Sequence, residues 1–218
     1  MILYGQYDSP FVRRVAVALE LYELAFEHRP WSVFGDVERL AAVNPLRRVP
    51  ALTLEGGETL IDSAAILDAL DEIVGEARAL VPAGGAERRA VLKVCALGSG
   101  LADKAVSLVY ERAVHGRATP AWEDRCRRQI GDVLTVLEDQ RAAAPGPWWF
   151  GERLTHADIM VGCALRFLGE AHPDLGDLAA RPALGAHAAR CEAMPVFQRI
   201  RQPFHVVPPA SPAADVVA

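Results

Sequence analysis

The sequence predicts two units of different class, an α/β unit followed by an all-α unit, within 218 residues. Three observations carry this. Up to about residue 76, short apolar runs alternate with segments of helical period, the pattern of strands covered by helices. Pro82-Ala83-Gly84-Gly85 then breaks the pattern as a linker. Beyond it, almost every apolar residue recurs at helical spacing. The expected organisation is an α/β domain over 1–78, an all-α domain over 86–205 and an irregular, Pro- and Ala-rich tail over 206–218.

Met1-Ile2-Leu3-Tyr4 is a first strand stopped by Gly5, and Val12, Val15, Ala16 and Leu19 mark a helix from Pro10 to Leu24. Ser9 is its expected N-cap. Pro10 is its first residue, where a missing N–H removes a donor the helix would not have used. A strand follows around Phe26 to Pro30, then a looser segment from Trp31 to Val43. Asn44-Pro45-Leu46-Arg47-Arg48-Val49-Pro50 leads into a strand at 51–54, with Pro50 at the edge where no donor is needed and the Val49–Pro50 bond free to be cis. Gly56-Gly57 turns the chain into a strand at 59–61. Asp62-Ser63 opens a helix through Val74, carried by Ile66, Leu67, Leu70 and Ile73.

In the second unit a long helix is expected from Ala86 to about Gly116, weakened or bent at Gly98 and Gly100. Another starts near Pro120. Trp148-Trp149-Phe150-Gly151 reads as an aromatic loop under the next helix. That helix opens at Leu154-Thr155-His156-Ala157-Asp158-Ile159, a capping box with apolar flanks, which makes Thr155 and Asp158 structural. Pro182 and Pro195 open two shorter helices.

Composition excludes several function classes. Half the residues are apolar, enough for a sizeable core, and the formal net charge of -5 lacks the basic excess that phosphate neutralisation requires, so no nucleic-acid partner is expected. The arginine pairs at 13–14, 47–48, 88–89 and 127–128 read mostly as solvated helix faces. The chain starts directly with a strand-like run and contains no apolar stretch of spanning length, so a cytoplasmic protein without a membrane partner is expected. Cys95, Cys126, Cys163 and Cys191 stand far apart without a Cys-x-x-Cys pair and read as buried free thiols. The six histidines show no metal spacing, and no metal is expected.

The chemistry-bearing positions are two helix starts. A helix N-terminus offers unpaired N–H groups and the positive end of the peptide dipoles to an anion. Ser9 and Asp62-Ser63 each put short polar side chains there. By itself a Ser-Pro helix start is a cap and nothing more.

Ser9-Pro10-Phe11, Val49-Pro50, Asp62-Ser63 and the capping box, in this order and ahead of an all-α half, together resemble the soluble glutathione transferases, over essentially residues 1–200. Leu101 to Glu111 is similar to the fourth helix of bacterial members. The resemblance implies a thioredoxin-like glutathione-binding N-terminal domain, an all-helical C-terminal domain, a homodimer, and glutathione as co-substrate. Matched position by position, it implies that Ser9 contacts and steadies the glutathione thiolate, with Phe11 beside it. It further implies that the Val49 backbone, ahead of Pro50, pairs with the cysteinyl part, that Ser63 and the amides after it receive the γ-glutamyl carboxylate while Asp62 faces its ammonium group, and that Arg48 meets the glycyl carboxylate. Tyr7, Phe11, Tyr110 and Phe167 would line the electrophile pocket, and Asp103 would reach across a dimer.

Two residues depart from the family pattern. Arg47 stands where many relatives have glycine, leaving either arginine as the carboxylate partner, and Asp62 replaces a longer Glu or Gln. The expected activity is conjugation of glutathione to a small electrophile. A glutathione-binding scaffold without turnover would use the same positions. Thiol exchange fits less well, because Ser9 cannot form a mixed disulfide and Val12 occupies the place of a resolving cysteine.

Overall fold

The computed structural model describes residues 1–115 and 119–205; the tail expected over 206–218 and the expected helix end at Gly116 lie outside the described residues. Four short strands, β1 (Ile2–Tyr4), β2 (Glu27–Arg29), β3 (Ala51–Thr53) and β4 (Thr59–Ile61), form a mixed sheet in the order β2-β1-β3-β4. The first crossover, through helix α1 (Pro10–Leu21), makes β1 and β2 parallel, and the hairpin makes β3 and β4 antiparallel with Leu52 opposite Leu60. Helix α3 (Ser63–Val74) closes the unit. This is the thioredoxin-like arrangement of the resemblance.

The looser segment contains a short helix, α2 (Val37–Ala41), held at its start by Ser32 N–H donating to Asp36 Oδ2 at 3.0 Å. It is too short for an apolar period to reveal it. Helix α1 ends at Leu21 rather than Leu24, because Tyr22 caps it and Glu23 turns into the left-handed region at φ 56°.

Five helices form the second unit: α4 (Gly85–His115), α5 (Pro120–Ala143), α6 (His156–Ala171), α7 (Pro182–Ala193) and α8 (Pro195–Arg199). Helix α4 runs unbroken through Gly98 and Gly100, contrary to the weak point expected there. At Gly98 the glycine serves contact between helices, since a Cβ would come within 2.9 Å of Met160 Cγ on α6. Lost propensity of roughly 1 kcal/mol is offset by close packing. All four cysteines are buried on helices α4 to α7, and burial pushes the Cys95 and Cys163 thiols up to about 11.

The two units share one core. Leu3, Val15, Leu19, Ile66 and Leu70 pack with Ile159, Cys163 and Phe197 of the helical unit, so α6 and α8 complete the hydrophobic face of α1. The chain leading into the linker is pinned as well. Leu80 N–H donates to the Tyr22 hydroxyl at 2.9 Å and Leu80 carbonyl accepts from His156 N–H at 3.1 Å, beside a buried cluster of Tyr22, Asp71 and His156 in which Tyr22 donates to Asp71.

Arg13 and Arg14 overturn the reading of their pair as a solvated face: they are 2% and 4% exposed. Arg13 leaves α1 toward the helical unit, where its Nη1 and Nη2 grip Glu192 at 2.5 and 3.0 Å while Nε and Nη2 donate to the Ile200 and Phe197 carbonyls at 2.8 and 2.9 Å. A bidentate, fully satisfied guanidinium of this kind tolerates burial. Burial pushes the Glu192 carboxyl up, yet Arg13 and Arg166 together hold it below its ordinary value. Its contribution to stability is therefore present above its unfolded pKa and lost as pH falls through the folded one.

Two stability predictions follow from these contacts. Glu192→Gln should lower the unfolding free energy at pH 7 by about 1–3 kcal/mol, and the gap from wild type should close as pH drops below about 4 in chemical denaturation. In the capping box, Asp158 Oδ2 accepts from Thr155 N–H at 2.8 Å and Oδ1 from Trp149 N–H at 2.8 Å. Asp158→Ala leaves both donors buried and should cost about 2–4 kcal/mol in the same assay.

Candidate functional site

At the C-terminal edge of the sheet, where α1 and α3 begin, a cleft of about 590 Å3 opens between the two units. Its volume suits a small-molecule site. Ser9 lines it as the N-cap of α1, with φ −67° and ψ 124°, its Oγ accepting from Val12 N–H at 3.4 Å and its carbonyl accepting from Arg13 N–H at 2.9 Å. An Oγ that accepts this bond retains its own proton for a ligand. The close approach behind it depends on Gly5, at φ 121°, because a Cβ there would lie 2.5 Å from Val12 Cγ2 and 2.7 Å from Val49 Cβ. No larger residue fits between β1, α1 and the Val49 loop.

Val49 and Pro50, joined by a cis bond, form a second wall. Asn44, 2% exposed, shapes the loop before them, its Nδ2 donating to the Arg48 carbonyl at 2.8 Å and its Oδ1 accepting from Leu46 N–H at 3.0 Å. Arg47 takes the left-handed φ of 52°, a region that favours glycine, and its Nη1 pairs with Glu38 at 3.4 Å. Only Arg48 of the two lines the cleft.

Asp62 and Ser63 line the third wall. Asp62 is the N-cap of α3 at φ 67°, and its Oδ1 accepts from Ala64 N–H at 2.8 Å, so one carboxylate oxygen is already engaged in capping. Ser63 Oγ accepts from Arg14 Nη2 at 2.6 Å. Arg14 also lines the cleft; its Nη1 donates to Ser99 Oγ at 3.2 Å, its Nε is buried without a partner, and burial pulls its pKa down. Sequence reasoning missed this residue. The signal was its position on α1, five residues after Ser9 and therefore on the inward stripe with Pro10 and Ala18, where a charge needs a reason.

The residues expected at an electrophile pocket are placed differently from one another. Phe11, Tyr110 and Phe167 line the cleft, and so does Asp103, within this same chain and paired with Lys104 at 2.9 Å. Tyr7 does not. Its ring stacks on His28 with centroids 3.8 Å apart, outside the lining, and burial and then Glu20 push its phenol up to about 12. Residue 7 precedes the turn into α1 and faces away from the cleft, so nearness in sequence to Ser9 misleads. Residues beyond α8 were not anticipated: Gln202, Phe204 and His205 line the cleft from the side of the helical unit.

A sequence model of the glutathione S-transferase N-terminal domain matches residues 3–78, and one of the C-terminal domain matches 120–190. Among curated proteins, the uncharacterised glutathione-transferase-like protein YibF of Escherichia coli is 32% identical over 77% of this chain and 82% of its own. The chain belongs to the glutathione S-transferase family. A probable maleylacetoacetate isomerase of Vibrio cholerae is 31% identical over 90% of this chain and 93% of its own. Among solved structures, a Methylobacterium radiotolerans glutathione S-transferase in complex with glutathione sulfonate superposes with a TM-score of 0.86 at 26% identity, covering 94% of this chain and 96% of that one. A family member from Pseudomonas fluorescens with bound glutathione gives 0.81 at 33% identity, over 93% of this chain and 99% of that one.

One prediction comes from the geometry alone. Gly5→Ala should lower stability by about 1–3 kcal/mol, from overpacking and a left-handed φ, and displace the Val49 loop, seen as a loss of ligand affinity larger than that of surface variants.

Proposed function

We propose that the cleft binds glutathione, activates its thiol and transfers its sulfur to a small electrophile. The observation that carries this is the Ser9 hydroxyl, seated at the N-terminus of α1 with its proton unspent and its acceptor side taken by Val12 N–H. A donor placed so, backed by first-turn amides and the helix dipole, lowers the cost of a thiolate. Among the described residues no basic side chain accepts a hydrogen bond from Ser9 Oγ, so in this reading the attacking atom is the sulfur of glutathione.

The remaining contacts follow from the walls. Ser63, whose Oγ is held by Arg14, has its O–H left to donate to the γ-glutamyl carboxylate, with the α3 amides alongside. Arg14 supplies positive charge behind that hydroxyl. Asp62 offers its second oxygen to the ammonium group, Val49 its backbone to the cysteinyl unit, and Arg48 its guanidinium to the glycyl carboxylate; Phe11 covers the sulfur end. With a chlorodinitrobenzene as acceptor, the thiol proton passes to solvent, the sulfur pair forms a C–S bond at the chlorine-bearing carbon, and chloride leaves with the C–Cl pair. A homodimer, with Asp103 reaching the partner's ligand, and a cytoplasmic location belong to the same reading.

A second reading, isomerisation of an unsaturated keto acid with glutathione as a recycled cofactor, is favoured by the likeness to proteins named maleylacetoacetate isomerase. Both readings need the thiolate. The test is the thiolate absorbance of bound glutathione against pH. Ser9→Ala should raise the apparent thiol pKa by about 1–2 units and lower kcat/KM roughly 30- to 150-fold, about 2–3 kcal/mol. Equal pKa values in wild type and variant would leave Ser9 as a cap only, and absence of glutathione binding at millimolar concentration would sink the whole reading.

A further inference from the structure

Helix α6 ends at His172, a residue outside the cleft lining whose side chain is 1% exposed. Its backbone is held on both sides: its N–H donates to the Leu168 carbonyl at 2.9 Å, and its carbonyl accepts from the N–H groups of Leu175 and Gly176, each at 2.9 Å. Gly176 packs this turn back on α6, where a Cβ would come within 2.5 Å of Gly169 Cα. The ring is thereby directed at α4. Its Nε2 lies 2.8 Å from the Ala105 carbonyl and its Nδ1 3.3 Å from Arg112 Nη1.

These two partners fix the protonation state of the ring. A carbonyl only accepts and a guanidinium only donates, so Nε2 carries the hydrogen and Nδ1 is bare. A second proton, on Nδ1, would set donor against donor and cation against cation. The charged groups around the ring are Arg112 on α4, Glu123 and Arg127 on α5, and Asp174 in the turn after α6. Arg112 and Arg127 bond Glu123 Oε1 at 3.0 and 2.8 Å, and Arg127 reaches Asp174 at 2.7 Å, so both carboxylates already have arginine partners. Lys104, beside Ala105, pairs with Asp103 at 2.9 Å. Burial above all, helped by Arg112 and Arg127, pulls the ring's pKa below its ordinary value against the pull of the Ala105 carbonyl and Asp174. The ring's contribution to stability is therefore present above the unfolded pKa of about 6.5 and lost as pH falls through the lower folded one.

The ring holds a wall of the cleft. Its contacts at Ala105 and Arg112 bracket Val106, Val109 and Tyr110, which line the cleft from α4. We propose that His172 is an acid-sensitive pin: neutral, it locks residues 105–112 of α4 to the end of α6, and protonation releases that stretch and with it one wall of the cleft. The pin acts whatever the cleft binds.

Hydrogen–deuterium exchange of the full chain at about pH 7.5 and about pH 5, corrected for intrinsic exchange rates, tests this without a ligand. In wild type, exchange over residues 105–112 should rise about tenfold on acidification relative to residues 130–137 of α5. His172→Gln keeps a donor for the Ala105 carbonyl and cannot titrate, and should limit the rise to about threefold or less. Arg112→Gln, at a part-exposed position, removes the opposing cation and should blunt the rise in the same way, so the proposal stays testable if His172→Gln does not fold. Nitrogen-15 spectra of the imidazole should show the Nε2–H tautomer at neutral pH. An equal rise in both segments, an undiminished rise in either folded variant, or an Nδ1–H tautomer would overturn the inference.

Discussion

The site depends on where helix α1 is held, and two adjacent buried guanidiniums hold it. Arg13 points from α1 into the helical unit and satisfies its donors on Glu192 and on two carbonyls after α7. Arg14, about 100° further round the helix, points under the cleft to Ser63 and Ser99. One arginine therefore fixes the C-terminal segment to α1, and the other fixes the start of α3 and the middle of α4 to it. The two are not equivalent. Arg13 ends in a bidentate carboxylate pair, whereas Arg14 ends on hydroxyls and the Met160 sulfur, so it keeps more uncompensated positive charge. Structure spends the first and leaves the second facing a cleft that suits an anion.

This placement makes the two units interdependent. The sheet is only four strands of three residues each, too small to bury a helix face without help. The missing surface comes from α6 and α8, whose Ile159, Cys163 and Phe197 sit in the same core as Leu3 and Leu19. The Tyr22–Asp71–His156 cluster and the pinned linker close the other side of that junction. A cleft whose walls come from both units is then as rigid as the junction itself.

How far the sequence could be read follows from the same physics. Where a local rule had no competitor, it held: Pro10 and Ser9 start α1, Asp62-Ser63 starts a helix that ends at Val74, and Gly56-Gly57 turns a hairpin. Periodicity failed where tertiary contact supplied the reason for a residue. Gly98 reads as a weak point by propensity and acts as a contact surface for Met160. Arg13 and Arg14 read as a solvated pair by composition, although their neighbours Val12, Val15 and Ala16 already place the whole turn inside. Arg47 is legible only afterwards, when its left-handed φ explains why glycine would suit the position. Tyr7 was misplaced because a turn separates it from the helix that points at the cleft.

The same contrast explains why the two halves of the cleft differ in legibility. The walls at Ser9, Val49 and Ser63 are built from helix starts and a Val-Pro loop, where each polar side chain has a backbone reason to be where it is, and such reasons are written locally. The rest of the lining is assembled from single residues, among them ones on α1, α4, α6 and the segment after α8, brought together by packing between units. No local rule marks Phe204, for its position is set by a bond from its own N–H to Glu170, thirty-four residues earlier. The walls at Ser9, Val49 and Ser63 can therefore be carried on a common framework while the rest of the lining changes one side chain at a time.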